Sequence, residues 1–394
     1  MKNPFPSEHF ETQAVRTQAD RSSFGEHSVP VYLTSSYLFD DAEHARAVFA
    51  NEQPGMIYSR YDNPSNDEFV DKMNLLEGTE DGVATASGMA AIFGALAGIL
   101  SAGDHFLACR SLFGSTFQVL STILPRFGIS VTFFDIDKPE TWESMITPAT
   151  KLIFVETPTN PGLDLVDLEF LSALCRRRNL ILAVDNCFAT SYLQKPAAWG
   201  ADLVLHSATK FIDGQGRGLG GVILGRASLI DPIRFFCRQT GPALSPFHGW
   251  MFSKSLETLA VRMERHCDNA EFLARSLEGH PALKAVKHPS LPSHPQHALA
   301  KKQMTRGGGL FTLDLKGGLE AGKRFLDALQ LCSLTANLGD TRSTVTHPAS
   351  TTHSKLTDAE RKAVGIGPGT VRVSAGLEHR DDLLVDLVQA LQKA

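Results

Sequence analysis

The sequence predicts an α/β protein with a mostly parallel sheet in a large domain, followed by a smaller α+β domain. Three observations lead to this prediction. Short apolar, strand-like runs alternate with helical stretches from about residue 64 to residue 225, and polar residues and glycines cluster just after those runs. Beyond about residue 257 a long helical stretch begins, and helices then mix with strands. Alternating strands and helices are typical of parallel sheets covered on both faces.

The N-terminal segment differs in character from the rest of the chain. Residues 1–60 show no strong helical period and contain one short β-like run, Val31 to Thr34. Such a segment can wrap over the rest of the molecule or over a partner subunit. A chain of 394 residues exceeds one small domain. We therefore predict an N-terminal arm (1–60), a large domain (61–256) and a C-terminal small domain (257–394).

The large domain is predicted from a regular succession of elements. Its predicted helices are Asn66–Leu76, Ala90–Leu100, Thr116–Phe127 and Leu168–Arg178. Its predicted strands are the run after Gly103, Ser130–Phe134, the run from Lys151 to Glu156, Leu180–Val184, Ala201–His206 and Gly220–Leu224. The small domain is predicted to begin with the helix Glu257–Leu277 and to contain strands at Gly309–Leu315 and Thr370–Ser374.

Composition and charge argue against a nucleic-acid-binding protein and against a membrane protein. Charged residues make up 21% and the net charge is −5, without a basic stripe, so a nucleic-acid partner is not expected. The most apolar stretch, Met89–Leu100, is shorter than the ~20 residues that span a bilayer, and the first residues lack the apolar core of a signal peptide. The six cysteines are scattered without a CxxC pair. We expect a cytoplasmic protein that binds no membrane.

Two candidate catalytic residues stand at the ends of apolar strands. Lys210 follows the strand Ala201–His206, where burial among apolar residues would lower the pKa of its amine and prepare it for Schiff-base chemistry. Asp185 closes the strand Leu180–Val184, and a carboxylate ending so apolar a run is costly unless it is paired. Each residue taken by itself has a simpler interpretation: Lys210 could be an ordinary surface lysine, and Asp185 could be a helix-capping or turn residue.

Two further pieces complete a possible cofactor site. Ser87, Gly88 and Met89 open an apolar helix, whose N-terminus favours a phosphate group, although a plain helix cap explains Ser87 equally well. Ser207 and Thr209 offer hydroxyls near Lys210. The turn from Thr157 to Pro161 holds Asn160 between two prolines, and a simple loop is the alternative. Together these pieces predict pyridoxal 5′-phosphate (PLP), whose ring needs an acidic partner for its nitrogen.

With these motifs the sequence resembles the Cys/Met-metabolism family of PLP enzymes over nearly its whole length. The matching segments are Tyr58-Ser-Arg60-Tyr-Asp-Asn-Pro-Ser, Ala86-Ser-Gly-Met-Ala-Ala, Glu156-Thr-Pro-Thr-Asn-Pro, Val184-Asp-Asn, His206-Ser-Ala-Thr-Lys, His347-Pro-Ala-Ser-Thr-Thr-His353 and Val371-Arg-Val-Ser-Ala-Gly-Leu-Glu378. The resemblance implies the aspartate-aminotransferase-like fold (fold type I) and PLP as cofactor.

Carried over by position, the resemblance implies a role for each matching residue. Lys210 would be the Schiff-base lysine, Asp185 the partner of the ring nitrogen and Phe113 the ring-stacking residue. The residues that would hold the phosphate are Ser87, Gly88, Met89, Ser207 and Thr209.

The resemblance also implies roles beyond the cofactor. Asn160 would contact the cofactor's 3-hydroxyl or the substrate, and Asn337 and Arg372 would bind substrate, with Arg372 gripping the α-carboxylate. Tyr58 and Arg60 would reach the phosphate of a neighbouring subunit. This implies a homo-oligomer, expected to be a homotetramer of dimers that share active sites.

Departures from the family's usual pattern suggest the reaction. Phe113 stands where most relatives have a tyrosine, so it can stack but cannot transfer a proton. Ser115 stands where methionine γ-lyases typically have cysteine. Two stretches, 210–221 and 336–342, are similar to the sulfhydrylases of the family.

The expected reaction is γ-replacement on O-succinylhomoserine by sulfide, which gives homocysteine and succinate. Cystathionine γ-synthase, O-acetylhomoserine sulfhydrylase, a cystathionine or methionine γ-lyase and a non-catalytic PLP-binding protein remain alternatives. His347 and His353 lack a helical metal-binding spacing, and no metal site is predicted.

Overall fold

A computed structural model of the protein describes residues 7–351, 354, 357, 361 and 365–394. The strands of the first sheet are β1 (Asp81–Thr85), β2 (His105–Cys109), β3 (Ser130–Phe134), β4 (Thr150–Glu156), β5 (Ile181–Asp185), β6 (Leu203–Ser207) and β7 (Gly221–Gly225). The strands of the second sheet are β8 (Leu283–Lys287), β9 (Leu310–Leu315), β10 (Ser333–Leu334), β11 (Thr344–Thr346) and β12 (Thr370–Ser374).

The described helices surround and connect these sheets. They are α1 (Phe10–Arg16), α2 (Ala42–Phe49), α3 (Pro64–Glu77), α4 (Gly88–Ile99), α5 (Gly114–Gln118), α6 (Pro139–Trp142), α7 (Leu168–Arg178), α8 (Thr190–Leu193), α9 (Ala227–Thr240), α10 (Pro246–Leu256), α11 (Leu259–Leu277), α12 (His297–Gln303), α13 (Gly318–Ala328) and α14 (Arg380–Leu391). Among the described residues, no helix combines the length and the apolar character that crossing a bilayer requires.

The first sheet is mostly parallel. Its strand order is β1-β7-β6-β5-β4-β2-β3; β2 to β6 run parallel, and β7 runs antiparallel to both β6 and β1. The second sheet has the order β10-β11-β12-β9-β8 and is mainly antiparallel. The predicted fold class is confirmed. The domain boundaries at 60/61 and 256/257 stay predictions; β1–β7 fall between them and β8–β12 after them.

Both faces of the first sheet are buried. Ile223 on β7 packs in one apolar core with residues of α4, α7 and α9, whereas its neighbours Val222 and Leu224 pack in a second core with α3 and α10. This alternation follows from the two-residue period of a strand. With both faces covered, the carboxyl edge of the parallel strands is the open edge, and ligands bind there in such sheets.

Helix α4 begins at this edge. Ser87 caps it, because its hydroxyl accepts a hydrogen bond from the Ala90 N–H at 3.1 Å. The remainder of α4 is apolar and packs on the sheet, with Ala91, Ala95 and Leu96 at or near zero exposure. The Ser87 cap fixes where α4 begins. Because α4 packs on the sheet, the N–H groups of its first turn lie near the carboxyl ends of the strands.

Two local predictions are wrong. The described part of the arm, residues 7–60, contains two short helices, α1 and α2, and Val31–Thr34 forms no strand. In this stretch the Tyr32 N–H bonds the Ser65 hydroxyl instead of a neighbouring strand. The single predicted helix Thr116–Phe127 is instead α5, a π-helical turn (Val119–Ile123) and a 3-10 turn (Leu124–Phe127). Pro125 cannot donate to a regular helical ladder.

Candidate active site

A cavity of about 450 Å³ lies at the carboxyl edge of the parallel strands, within the range of small-molecule sites. The ends of β4, β5 and β6, the start of α4 and the segment before β11 surround it. Its lining includes Ser87, Gly88, Met89, Phe113, Glu156, Asn160, Asp185, Cys187, Ser207, Thr209, Lys210, Leu219, Asn337 and Arg372. The structure thus brings together every predicted site residue except Tyr58 and Arg60.

Lys210 presents its amine to this cavity. Its Nζ donates a hydrogen bond to Asn337 Oδ1 at 2.7 Å, across 127 positions of the chain. Burial lowers the pKa of the Lys210 amine, and the positive charge of Arg372 lowers it further against an opposing effect of Cys187. The lowered pKa increases the share of the neutral amine, the form that Schiff-base chemistry requires.

Two carboxylates lie side by side at the floor of the cavity. Glu156 ends β4 and Asp185 ends β5, and the two are register partners in the parallel pairing. Burial raises the pKa of Asp185 to about 6, while a hydrogen bond from the Cys187 N–H to Asp185 Oδ1 at 3.0 Å opposes the rise. Burial and the charge of Asp185 raise the pKa of Glu156 well above its ordinary value. With a pKa of about 6, Asp185 is mostly ionised at pH 7.

The start of α4 forms a cradle against the end of β6. Gly88 lies so close to Ser207 that a Cβ at position 88 would stand 2.6 Å from Ser207 Cβ and 2.9 Å from its Oγ. Gly221 approaches from the other side, where a Cβ would stand 2.4 Å from the Ser87 carbonyl oxygen. Backbone N–H groups and a hydroxyl converge here at a helix N-terminus, an arrangement suited to a phosphate group.

Arg372 is buried beside the cavity with 4% exposure. Its Nη1 donates to Asn160 Oδ1 at 2.9 Å, and its Nη2 donates to the carbonyl oxygens of Ala336 and Asn337, each at 3.2 Å. Burial lowers the pKa of Arg372 to about 10, which leaves it charged at neutral pH. Because these three acceptors are neutral, the positive charge of Arg372 remains available to an anionic ligand.

Phe113 and Thr209 occupy the cavity wall in different ways. Phe113 precedes α5 with 37% of its surface exposed, so its ring is available to a ligand. The Thr209 hydroxyl donates to the Gly220 carbonyl at 3.3 Å and accepts from the Gly220 N–H at 3.1 Å. Thr209 is therefore engaged with the glycine-rich segment while it faces the cavity.

Tyr58 and Arg60 lie elsewhere. The Arg60 guanidinium carbon stands 5.5 Å from the Tyr58 ring centroid and 4.9 Å from that of Tyr61, and its Nη1 bonds the Arg238 carbonyl. Arg60 lines a separate cavity of about 260 Å³. Both residues are exposed. Within one chain they do not reach the Lys210 cavity, and their predicted role toward a neighbouring subunit stays a prediction.

The two stretches that are similar to sulfhydrylases contact each other. The Thr341 N–H donates to the Gly214 carbonyl at 2.9 Å, and Arg342 Nη2 donates to the Gln215 carbonyl at 3.2 Å. Gly216, at φ +67°, leaves room for the Asp340 carboxylate, which a Cβ would meet at 2.4 Å. These contacts hold the segment that carries Asn337 against the segment that follows Lys210.

Sequence reasoning did not name several polar and apolar residues of the cavity as site residues, among them Glu156, Cys187 and Leu219. Glu156 ends β4, Cys187 follows β5 and Leu219 lies in the glycine-rich loop, and these positions were a signal that could have identified them. His347 bonds Ser350 Oγ at 2.8 Å and the Pro368 carbonyl at 2.9 Å through its two ring nitrogens. His353 lies outside the described residues.

Comparison with known proteins identifies the family. The family described as Cys/Met metabolism PLP-dependent enzyme matches residues 11–392. The chain belongs to this family. PLP is its cofactor, consistent with a solved structure of a Campylobacter jejuni protein assigned as an O-acetylhomoserine (thiol)-lyase, which contains N′-pyridoxyl-lysine-5′-monophosphate. That structure matches with a TM-score of 0.94 and 35% identity, and the match covers 97% of this chain and 99% of the other.

Two relatives indicate the range of activities among similar Cys/Met-metabolism enzymes. O-succinylhomoserine sulfhydrylase of Pseudomonas aeruginosa is 47% identical over 382 residues, which cover 97% of this chain and 95% of the relative. L-methionine gamma-lyase of Fusobacterium nucleatum subsp. polymorphum is 43% identical over 385 residues, which cover 97% and 98%. The relatives thus include both a replacement enzyme and a lyase.

The residues of the cavity fit PLP. The cradle between Gly88 and Ser207 suits the phosphate, and the ionised Asp185 at the floor suits a protonated ring nitrogen. The Lys210 amine suits the aldehyde, and Phe113 offers a ring face for stacking. These assignments of individual residues are proposals that follow from the cavity's chemistry.

Proposed function

We propose that the protein replaces the succinyl ester of O-succinylhomoserine with sulfide to form homocysteine. The bond from Cγ to the ester oxygen breaks, succinate leaves with the bonding electrons, and hydrosulfide supplies the pair for the new bond from sulfur to Cγ. One observation carries this proposal: Lys210 is held at the cavity by Asn337, and Phe113, which lines the same cavity, has no hydroxyl. The similarity to an O-succinylhomoserine sulfhydrylase supports it.

Lys210 moves the protons in this proposal. PLP supplies an aldehyde that reacts with amines and a ring that withdraws electrons from neighbouring carbon atoms. Lys210, with its lowered amine pKa, would take the proton from the substrate Cα, release it, and then, neutral again, take one from Cβ. Asn337 Oδ1 holds the Lys210 amine at 2.7 Å, which limits where that amine can lie between these transfers.

Asp185 and Arg372 orient the reacting groups. Asp185, ionised at neutral pH, holds the proton of the ring nitrogen. Arg372 binds the substrate α-carboxylate, and Asn160 fixes the direction of its guanidinium. Asp185 acts through its negative charge and Arg372 through its positive charge. Hydrogen bonds to the protein fix both side chains before the substrate binds.

The missing phenol at position 113 favours sulfide as the acceptor. Hydrosulfide is already nucleophilic near neutral pH, whereas the thiol of cysteine needs a base and a lyase must reprotonate its intermediate. General acid–base assistance contributes ~10²–10⁴-fold. Among the described residues of this chain that line the cavity, none is a tyrosine. The acceptor that needs least assistance should therefore react fastest.

Three alternatives use the same residues. Cystathionine γ-synthase would use cysteine as acceptor, an O-acetylhomoserine sulfhydrylase would use the acetyl ester, and a γ-lyase would release 2-oxobutanoate. The lyase is the second candidate because L-methionine gamma-lyase relatives match nearly as well. Ser115, where methionine γ-lyases typically have cysteine, counts against it.

A substrate panel tests the proposal. Succinyl- and acetylhomoserine are each combined with sulfide or cysteine, and homocysteine, cystathionine and 2-oxobutanoate are measured. We expect the highest kcat/KM for the succinyl ester with sulfide, and a shift toward cysteine addition or elimination in Phe113→Tyr with little change in PLP affinity. Faster formation of cystathionine than of homocysteine by the unmodified enzyme would replace the sulfhydrylase by the synthase.

We further propose that the enzyme is cytoplasmic and forms a homotetramer of dimers with shared active sites. The N-terminal arm exposes several large apolar side chains, including Phe24 at 93%, Leu38 at 98% and Leu33 at 67%. Exposed apolar side chains of this size suit burial against another subunit. Tyr58 and Arg60, exposed at the end of the same arm, would then reach a neighbour's phosphate.

A further inference from the structure

Glu156 is a buried acidic residue that accepts hydrogen bonds from two backbone N–H groups. Its exposure is 4%. Its Oε2 accepts a hydrogen bond from the Phe113 N–H at 2.9 Å, and its Oε1 accepts one from the Asn160 N–H at 2.7 Å. Both carboxylate oxygens are therefore engaged by main-chain groups of two separate segments.

These two segments carry different parts of the cavity wall. Phe113 lies just before α5 and lines the cavity. Asn160 lies in the turn after β4, and its Oδ1 accepts the hydrogen bond from Arg372 Nη1. A single side chain on β4 thus connects the proposed ring-stacking residue with the proposed carboxylate clamp.

The location of this carboxylate is electrostatically unfavourable. Glu156 and Asp185 are register partners on adjacent strands, so two acidic groups share a buried floor. Burial opposes the charged form of both groups. The two hydrogen bonds from backbone N–H groups favour the charged form of Glu156 and offset part of this cost. An uncharged side chain of similar length would avoid the repulsion but would lose the double acceptor.

We propose that Glu156 is a positioning residue that fixes the Phe113 segment and the Asn160 turn relative to each other through its two carboxylate oxygens. It touches neither substrate nor cofactor in this role. The inference rests on the proposed functions of Phe113 in ring stacking and of Asn160 in orienting Arg372. It predicts that loss of Glu156 impairs both functions at once.

The test compares Glu156→Gln and Glu156→Asp in the holoenzyme. Glutamine keeps the length but has one acceptor oxygen, so one N–H would face an NH₂ group; aspartate keeps the carboxyl group but is too short to reach both segments. Leaving a buried N–H without its acceptor corresponds to a change of about 10-fold. We expect KM for the homoserine ester to rise by about that factor in both variants, with an altered visible circular dichroism of bound PLP.

A matched control separates positioning from stability. Asp386 is also buried, with 4% exposure, and accepts backbone N–H bonds from Gln330, Leu331 and Cys332 at 2.8–3.0 Å, but it does not line the cavity. Asp386→Asn should lower the midpoint of urea unfolding without changing KM or the dichroism of PLP. Equal effects of Asp386→Asn and Glu156→Gln on KM and dichroism would overturn the proposal.

Double-mutant cycles identify the route of the effect. In an Asn160→Ala background, Glu156→Gln should raise KM much less than in the unmodified enzyme, and in a Phe113→Ala background it should change the PLP dichroism much less. Full, additive effects in both backgrounds would overturn the positioning role while leaving the proposed function intact. If Asn160→Ala and Phe113→Ala alone leave KM and dichroism unchanged, the proposed functions of those residues fail, and the inference fails with them.

Discussion

Substitution of Gly88 by alanine should weaken PLP binding without disrupting the backbone. Gly88 is the first residue of α4, and alanine is intrinsically better than glycine in a helix. The new methyl group, however, would stand 2.6 Å from Ser207 Cβ and 3.1 Å from Ser207 Cα. Optimal contacts between carbon atoms lie at about 3.5–4.0 Å, so the cradle must open by about 1 Å.

The magnitude follows from the cost of overpacking. An inserted methyl group in a packed site costs about 1–3 kcal/mol. If that cost falls on the cofactor-bound state, the dissociation constant for PLP should rise about 5- to 150-fold. Apoenzyme prepared with hydroxylamine and titrated with PLP, followed by absorbance, measures this constant.

Gly98→Ala provides the matched control in the same helix. A Cβ at Gly98 would stand 2.9 Å from Ile233 Cα, at the far end of α4 from the cavity. Both variants should change the thermal unfolding of the apoenzyme, but only Gly88→Ala should weaken PLP binding. A dissociation constant for Gly88→Ala within twofold of the unmodified enzyme, or an equal loss in Gly98→Ala, would refute the assignment of the cradle.

Three further predictions concern other residues. Arg372→Lys should raise KM for the homoserine ester about 10- to 100-fold with PLP affinity unchanged, because one ammonium cannot replace the guanidinium's bonds to Asn160 and two carbonyls; an unchanged KM would contradict the clamp. Mixed oligomers of Arg60→Ala and Lys210→Ala subunits should regain activity if sites are shared, and no recovery in verified mixed oligomers would contradict sharing. Burial lowers the pKa of His288 to about 4 from 6.5. The unfolded chain therefore takes up a proton first as the pH falls below 6.5, and the resulting loss of stability should be about 2 kcal/mol at pH 5. Urea unfolding at pH 7.5 and pH 5 should show a smaller acid loss in His288→Gln, and an equal loss would contradict it.

Much of the site could be predicted because its residues stand at strand ends. Asp185 and Lys210 follow apolar runs whose length and composition identify β5 and β6 without reference to tertiary structure. Parallel strands carry their carboxyl ends to one edge, so residues at those ends converge. The start of α4 was predictable for a similar reason, since a serine followed by glycine and an apolar run is a recognisable helix beginning.

What could not be predicted depends on contacts between distant segments. Glu156 reads as an ordinary strand-end acid until the Phe113 N–H, 43 positions earlier, is placed beside it. Lys210 follows β6 of the first sheet, and Asn337 lies between β10 and β11 of the second sheet. The hydrogen bond between them joins residues 127 positions apart, and no local sequence pattern predicts it. The broken helix after Phe113 had a visible signal in Pro125, but the Ser121 hydroxyl bond to the Phe117 carbonyl at 2.7 Å also favours distortion and is known only from the structure.

The identity of the lysine that binds PLP covalently is the most direct test of the account. The holoenzyme is reduced with borohydride, digested, and its peptides are mapped by mass spectrometry. The account predicts one phosphopyridoxyl-modified peptide, modified at Lys210, and its loss in Lys210→Arg, which should still bind PLP non-covalently through the cradle. A modification mapped to any other lysine, or one that persists in Lys210→Arg, would contradict the central claim.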